Sequence, residues 1–195
     1  MKLNRHNLFV LLMIIVIAAL YRAVPYESRP FWLGAPQLAI AIFAGSVVTK
    51  RSWSFAFPII SMLVADVIMQ IMHAYNPSYM PGFYKGQWLN YLMIASITVI
   101  GFFTRSRKLV SILGATLAGP TVFFLMSNFA VWAGGGGLGR AKNTAGLLQC
   151  YVDALPFYYN SLVGTLIFGA VLFGSYQWLS VAKLAKQKTV KVGSN

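Results

Sequence analysis

Gly134, Gly136 and Gly139 stand at the spacing G-x-G-x-x-G within AVWAGGGGLGRAKN, residues 130–143. In a dinucleotide-binding unit such glycines follow a β-strand, bring the backbone close to a pyrophosphate and open a helix. Here the run follows a long apolar segment ending at Trp132, with no strand before it and no apolar helical pattern directly after it. No acidic residue stands about twenty positions beyond the last glycine, and there is no G-K-[ST]. The glycines therefore predict a helix stop and a flexible loop of about twelve residues. Other reactive chemistry is sparse: the acidic residues are Glu27, Asp66 and Asp153, the histidines His6 and His73, and the one cysteine Cys150. They form no Ser-His-Asp set, no paired catalytic carboxylates and no metal cluster, and a single cysteine excludes an intrachain disulfide. The expectation is a protein that is not an enzyme and needs no metal or cofactor.

What must position the remaining polar residues follows from composition. Of 195 residues, 58% are hydrophobic and only 10% charged, and the mean hydropathy is +0.67. A soluble domain carries about 25% charged residues. So few charges cannot cover a water-facing surface, and most of the chain must face lipid. The net charge of +13 would suggest nucleic acid in a soluble protein, but the basic residues lie between apolar runs instead of lining one face, so no nucleic acid is expected.

Six segments read as membrane spans against the requirement of about 20 apolar residues: 8–24, 34–49, 54–72, 87–104, 109–133 and 161–179. The first begins after Lys2, Arg5 and His6 like a signal peptide, but AALYRAVPY is a poor cleavage site, which favours a retained helix. The fifth carries Gly119-Pro120 near its middle, where the missing N–H predicts a kink. The segment 146–158, within GLLQCYVDALPFYY, is too short to span before Pro156 and reads as an outer interfacial or re-entrant helix ended by that proline. Eleven Lys and Arg fall at the N-terminus, the 49–53 and 104–108 loops and the tail, against five (Arg22, Arg29, Lys85, Arg140, Lys142) on the other side. The positive-inside rule places both termini in the cytoplasm. The expected class is an all-α polytopic membrane protein of six transmembrane helices, one domain over 1–179, with a basic tail (180–195) frayed against lipid headgroups.

With that orientation, Asp66, Gln70, Asn90, Asn128, Asp153 and Asn160 gather at the outer depth, with Gln37 near the outer start of the second span. Intramembrane polar groups are costly and face a cavity or a partner. They predict a substrate pocket open to the outside, with Trp132, Tyr151, Phe157 and Tyr158 as aromatic walls. Gly134, Gly136, Gly139 and Arg140 would connect Trp132 to Asp153, or close over the pocket as a lid. The two carboxylates favour a cationic ligand, while Arg22, Arg29 and Arg140 favour an anion. Small-residue spacings at Ala19/Ala23, Ala41/Gly45 and Gly114/Ala118 allow close helix approach.

The run SNFAVWAGG…GLLQCYVDALPFYYNSLVGTLIFGAVLFG, through Asn128, Phe129, Trp132, Gly146, Leu147, Cys150, Pro156, Phe157, Asn160 and Gly164, resembles a signature of an uncharacterised group of bacterial six-helix membrane proteins assigned to transport. These are related to the S components of energy-coupling-factor (ECF) transporters. APQLAIAIFAGS resembles the group's second helix and PIISMLVADVIM its third, with Asp66 at its aspartate; together the resemblance spans about residues 8 to 179. It implies a bacterial cytoplasmic-membrane protein that captures a small molecule in its outer half and partners a transmembrane coupling subunit with ATPases. Ala19 and Ala23 match the Ala-x-x-x-Ala surface through which S components dock, but near the outer end of the helix, and Ala35-Pro36-Gln37 stands where the group has Thr-Pro-Ile. The alternative is an accessory or structural subunit associated with other membrane subunits.

Overall fold

The sequence QLAIAIFAGSV is apolar on every side, and a helix of that kind belongs inside a bundle. In the computed structural model it forms α1, Gln37–Val47, with Gln37 through Ser46 all buried. The structure describes residues 36–106, 108–135 and 139–192, with side chains through Trp178, and also Met13, Val16, Ile17, Leu20 and Tyr21, which are helical. The Ala19/Ala23 surface, Arg22, Arg29, Gly136 and most of the first span lie outside the described residues. Tyr21 meets Phe168 edge to face, with ring centroids 5.4 Å apart.

The other elements are α2 (Arg51–Tyr75), α3 (Gln87–Phe102), α4 (Leu109–Gly134), α5 (Thr144–Asp153) and α6 (Leu155–Val192). The described residues are all-α. Helix α1 packs against α2, α3, α4 and α6, consecutive long helices pack pairwise, and α5 bridges α4 and α6. The eleven residues of α1 by themselves reach about 16 Å, roughly half of a bilayer core. Among the described residues, three helical stretches are long and apolar enough to cross a bilayer: α2, α4 and Leu155–Trp178 of α6. Large apolar side chains such as Leu63, Val67, Ile71, Leu113, Leu117 and Val171 stay exposed along them, the outer face expected of a multi-pass protein in contact with lipid.

Backbone contact fixes α1 on α3. A methyl on Gly45 would run into the Thr98 carbonyl oxygen and sit 2.9 Å from Gly101 Cα, and one on Gly101 would strike the Ile42 carbonyl. Ala41 and Ile42 are fully buried, so the Ala41/Gly45 spacing marks a true helix crossing. Ile42 also fills the space above Gly119 of α4, where an added Cβ would lie 2.8 Å from its Cδ1. By contrast Gly114 meets nothing and Ala118 is exposed. The remaining core adds Phe43, Met62, Ile94, Ile97 and Phe173, with Phe43 edge-on to Phe173 at 5.2 Å.

Helix α4 continues through Pro120, which is buried. One expectation changes, at the other proline. Pro156 does not end the outer helix: α5 stops at Asp153, and α6 begins at Leu155. Pro156 thus falls in the first turn of α6, where an N–H has no intrahelical partner to lose. The sixth helix starts six residues earlier than expected, and its backbone remains helical through the basic tail to Val192.

At the other end of the bundle Arg105 closes α1. Its Nε donates to the Gly45 carbonyl at 3.2 Å and its Nη2 to Val48 at 3.4 Å, with the guanidinium 4.9 Å from the Phe102 ring centroid. These carbonyls end α1 without intrahelical donors, and a cation there suits the helix dipole. Arg105→Gln is expected to lower stability by about 1 kcal/mol, read as a lower thermal midpoint in detergent.

Candidate functional site

The buried face of α2 is Ser54, Phe57, Pro58, Ser61, Met62, Ala65 and Asp66, a repeat of three and four that turns one stripe inward. On α3, Gln87 and Tyr91 stand one turn apart on one face. Their side chains converge on the fully buried Asp66: its Oδ2 accepts from Gln87 Nε2 at 2.5 Å and from Tyr91 OH at 2.7 Å. Gln87 Nε2 also donates to the Gly82 carbonyl at 2.9 Å, and its Oε1 accepts from Tyr84 N at 3.3 Å. Gln70, one turn beyond Asp66, accepts at Oε1 from Gly82 N and Phe83 N, both at 3.1 Å. His73 Nδ1 meets the Tyr79 carbonyl at 2.5 Å, and Asn90 Nδ2 donates to Tyr84 OH.

The connection between α2 and α3 is therefore strapped down by side chains from both. Gly82 is the point of closest approach, where a methyl would overlap the Asp66 carbonyl oxygen and sit 2.6 Å from Gln70 N. Only glycine fits there.

A second group lies on α4, α5 and the segment between them. Helix α4 ends in the glycine run: Gly135 caps it in the left-handed region at φ 80, and Gly139 has φ 68. The helix stops there as the glycines predicted, and the described part of the loop is tied on both sides. Trp132 Nε1 donates to the Ala141 carbonyl at 2.9 Å, and Lys142 Nζ donates to the Trp132 carbonyl and lies 5.2 Å from its ring centroid. Asn143 caps α5 by accepting from Gly146 N at 2.8 Å.

Arg140 donates to Asp153 Oδ2 through Nε at 3.0 Å and Nη2 at 2.5 Å, while Gln149 Nε2 donates to Oδ1 at 2.9 Å. These hydrogen bonds, from Gln149 first and then Arg140, hold the Asp153 carboxyl below its ordinary 3.8. A depressed carboxylate keeps its tie above that ordinary value and loses it only as pH falls through the lowered native one. An NMR titration of the Asp153 carboxyl is expected to give a midpoint below 3.8, and Arg140→Gln should move it upward.

Deeper in this pair, Asn128 Nδ2 bonds its own helix at the Phe124 carbonyl, 2.8 Å, and Cys150 Sγ approaches the Asn128 carbonyl at 3.7 Å. Tyr151 OH donates to the Leu125 carbonyl at 3.0 Å. Tyr158 stacks near Phe124 at 4.8 Å and shares a 2.8 Å hydrogen bond with Thr121. Phe157 is exposed, and Asn160 is half-buried on α6.

The expected site residues thus reach one end of the bundle in separate groups. Asp66, Gln70 and Asn90 lie on α2 and α3; Asn128, Trp132, Tyr151 and Asp153 lie on α4 and α5, with Arg140 in the segment between them. Gln87, Tyr91 and Gly82 were missed, although the one-turn spacing of Gln87 and Tyr91 was a usable signal.

A third feature sits on the central helix. Gln37, the first residue of α1, is only 4% exposed, and among the described residues neither Nε2 nor Oε1 has a hydrogen-bond partner. Ser61 Oγ on α2 and Thr98 Oγ1 on α3 are buried in the same condition. No group of three His, Cys, Asp or Glu that could hold a metal occurs among the described residues.

Residues 2–188 match the profile of a family of unknown function, DUF6580. The chain belongs to this family. The DUF6580 match takes in Gln37 and both polar groups. No curated protein and no solved structure matches the chain.

Proposed function

We propose that this protein is a solute-binding transport protein of the bacterial cytoplasmic membrane, resembling an ECF-type S component, with both termini in the cytoplasm and six spans. It captures a small molecule within the outer half of the bundle. The observation that carries this reading is the buried Gln37 amide at the start of α1, whose Nε2 and Oε1 have no partner among the described residues. Each atom costs about 1–3 kcal/mol if left unmade, and a polar solute at this end of the bundle would recover that cost. The tied loops 76–86 and 139–143 then frame the entrance.

A second reading has its own support. Asp66 and Asp153 are both engaged in hydrogen bonds inside the chain, which suits an accessory subunit that holds no ligand. One preparation separates the two. The full chain is purified in mild detergent, its released small molecules are profiled by untargeted mass spectrometry, and its co-purifying proteins are identified. A solute absent from an unrelated membrane protein prepared alongside supports solute binding, and ATPase partners add coupling. No solute, with stoichiometric partners other than ATPase subunits, favours the accessory subunit.

A further inference from the structure

We infer that Gln37 is the recognition contact of the solute site, and that the solute presents a neutral amide edge, a carboxamide or lactam, to it. This rests on the solute-binding reading above and names its ligand chemistry. A primary amide has a donor and an acceptor side by side, and at Gln37 both are buried and unmatched among the described residues. The group that satisfies both at once carries an N–H beside a C=O, forming two parallel hydrogen bonds.

The backbone adds to this. Gln37, Leu38 and Ala39 open α1, so their N–H groups have no intrahelical acceptor. Pro36, at the N-cap, has no side-chain oxygen to supply one, and the first α1 turn bond runs from Ile40 N to the Pro36 carbonyl at 3.0 Å. The start of α1 therefore favours a carbonyl oxygen beside the Gln37 side chain.

Neutrality follows from the surroundings. Leu38, Ala39 and Ile40, the residues that follow, are apolar and buried, and Gln37 itself offers no charge to balance an ion, whose burial unpaired is prohibitive. Helices α1 and α3 run the same way, because Ser46 near the end of α1 bonds Thr104 just past the end of α3. Gln37 thus lies toward the Tyr91 end of the bundle, and Tyr91 packs against the cluster that contains Leu38.

The test uses the full chain in detergent with two neutral probes, benzamide and 2-pyrrolidone, against benzoate and cyclopentanone, which lack the paired edge. Benzamide and 2-pyrrolidone are expected to raise the thermal midpoint, and the controls are not. Gln37→Leu removes both polar atoms at similar volume. It should abolish the probe response, reduce recovery of any co-purifying solute about tenfold or more, and raise the midpoint of the ligand-free protein. A lowered ligand-free midpoint for Gln37→Leu would mean that the amide is matched within the fold, and would overturn the inference. A solute recovered equally from both proteins would also overturn it while leaving solute binding intact. No solute and no probe response from the unsubstituted protein would remove both.

Discussion

Gly45→Val is expected to lower the stability of this protein by about 3 kcal/mol or more. At this position the neighbours are the Thr98 carbonyl and Gly101 Cα, backbone atoms that cannot rotate away as a side-chain tip would. The new side chain must push α1 from α3. Because α1 packs on α2, α3, α4 and α6, the displacement reaches every long helix at once. Gly45→Ala should show the same sign at reduced size. Gly114→Ala is the internal control: its methyl meets nothing within 4 Å, and alanine is the better helix former by about 1 kcal/mol, so it should be neutral or slightly stabilising. Thermal midpoints of the three variants in one detergent decide the matter, and equal losses at Gly45 and Gly114 would refute the close crossing.

That pair of glycines also marks how far the sequence could be read. Ala41/Gly45 and Gly114/Ala118 share one spacing, yet only the first lies at a helix crossing. Spacing reports that two small residues share a face; which face meets a neighbour is decided by the rest of the bundle. Helix type was legible across the described residues, since long apolar runs with so few charges leave lipid-facing helices as the main solution. The starts of α3 and α4 fell where the apolar runs begin. Pro156 misled because a proline reads equally as a stop or as a first-turn residue, and the break one residue before Leu155 leaves no signal of its own. That the polar residues fall toward one end of the bundle was legible from counting along each segment. Their division into an α2–α3 group and an α4–α5 group was not, because Asp66 and its partners Gln87 and Tyr91 are joined only by the packing of two helices.

The second large effect is expected at Asp66. Asp66→Ala removes the acceptor shared by Gln87 Nε2 and Tyr91 OH. The buried donors left without that acceptor, together with the cavity, cost about 3 kcal/mol. Gln87 keeps the Gly82 carbonyl as a weaker anchor, so the damage should concentrate in the 76–86 connection before the helices part. Lys85 is exposed in that connection and supplies a local readout, limited trypsin cleavage after Lys85. Cleavage should accelerate in Asp66→Ala and in Gly82→Ala, whose methyl would overlap the Asp66 carbonyl oxygen. Tyr91→Phe removes one donor without opening a cavity and should cost less than Asp66→Ala. Combined with Asp66→Ala it should cost less than the sum, by about 1 kcal/mol or more, because the two groups share one hydrogen bond. If Lys85 is cut at the original rate in Asp66→Ala, the connection is held by Gln70, His73, Gln87 and Asn90 without Asp66. Asp66 would then join α2 to α3 without holding the connection between them.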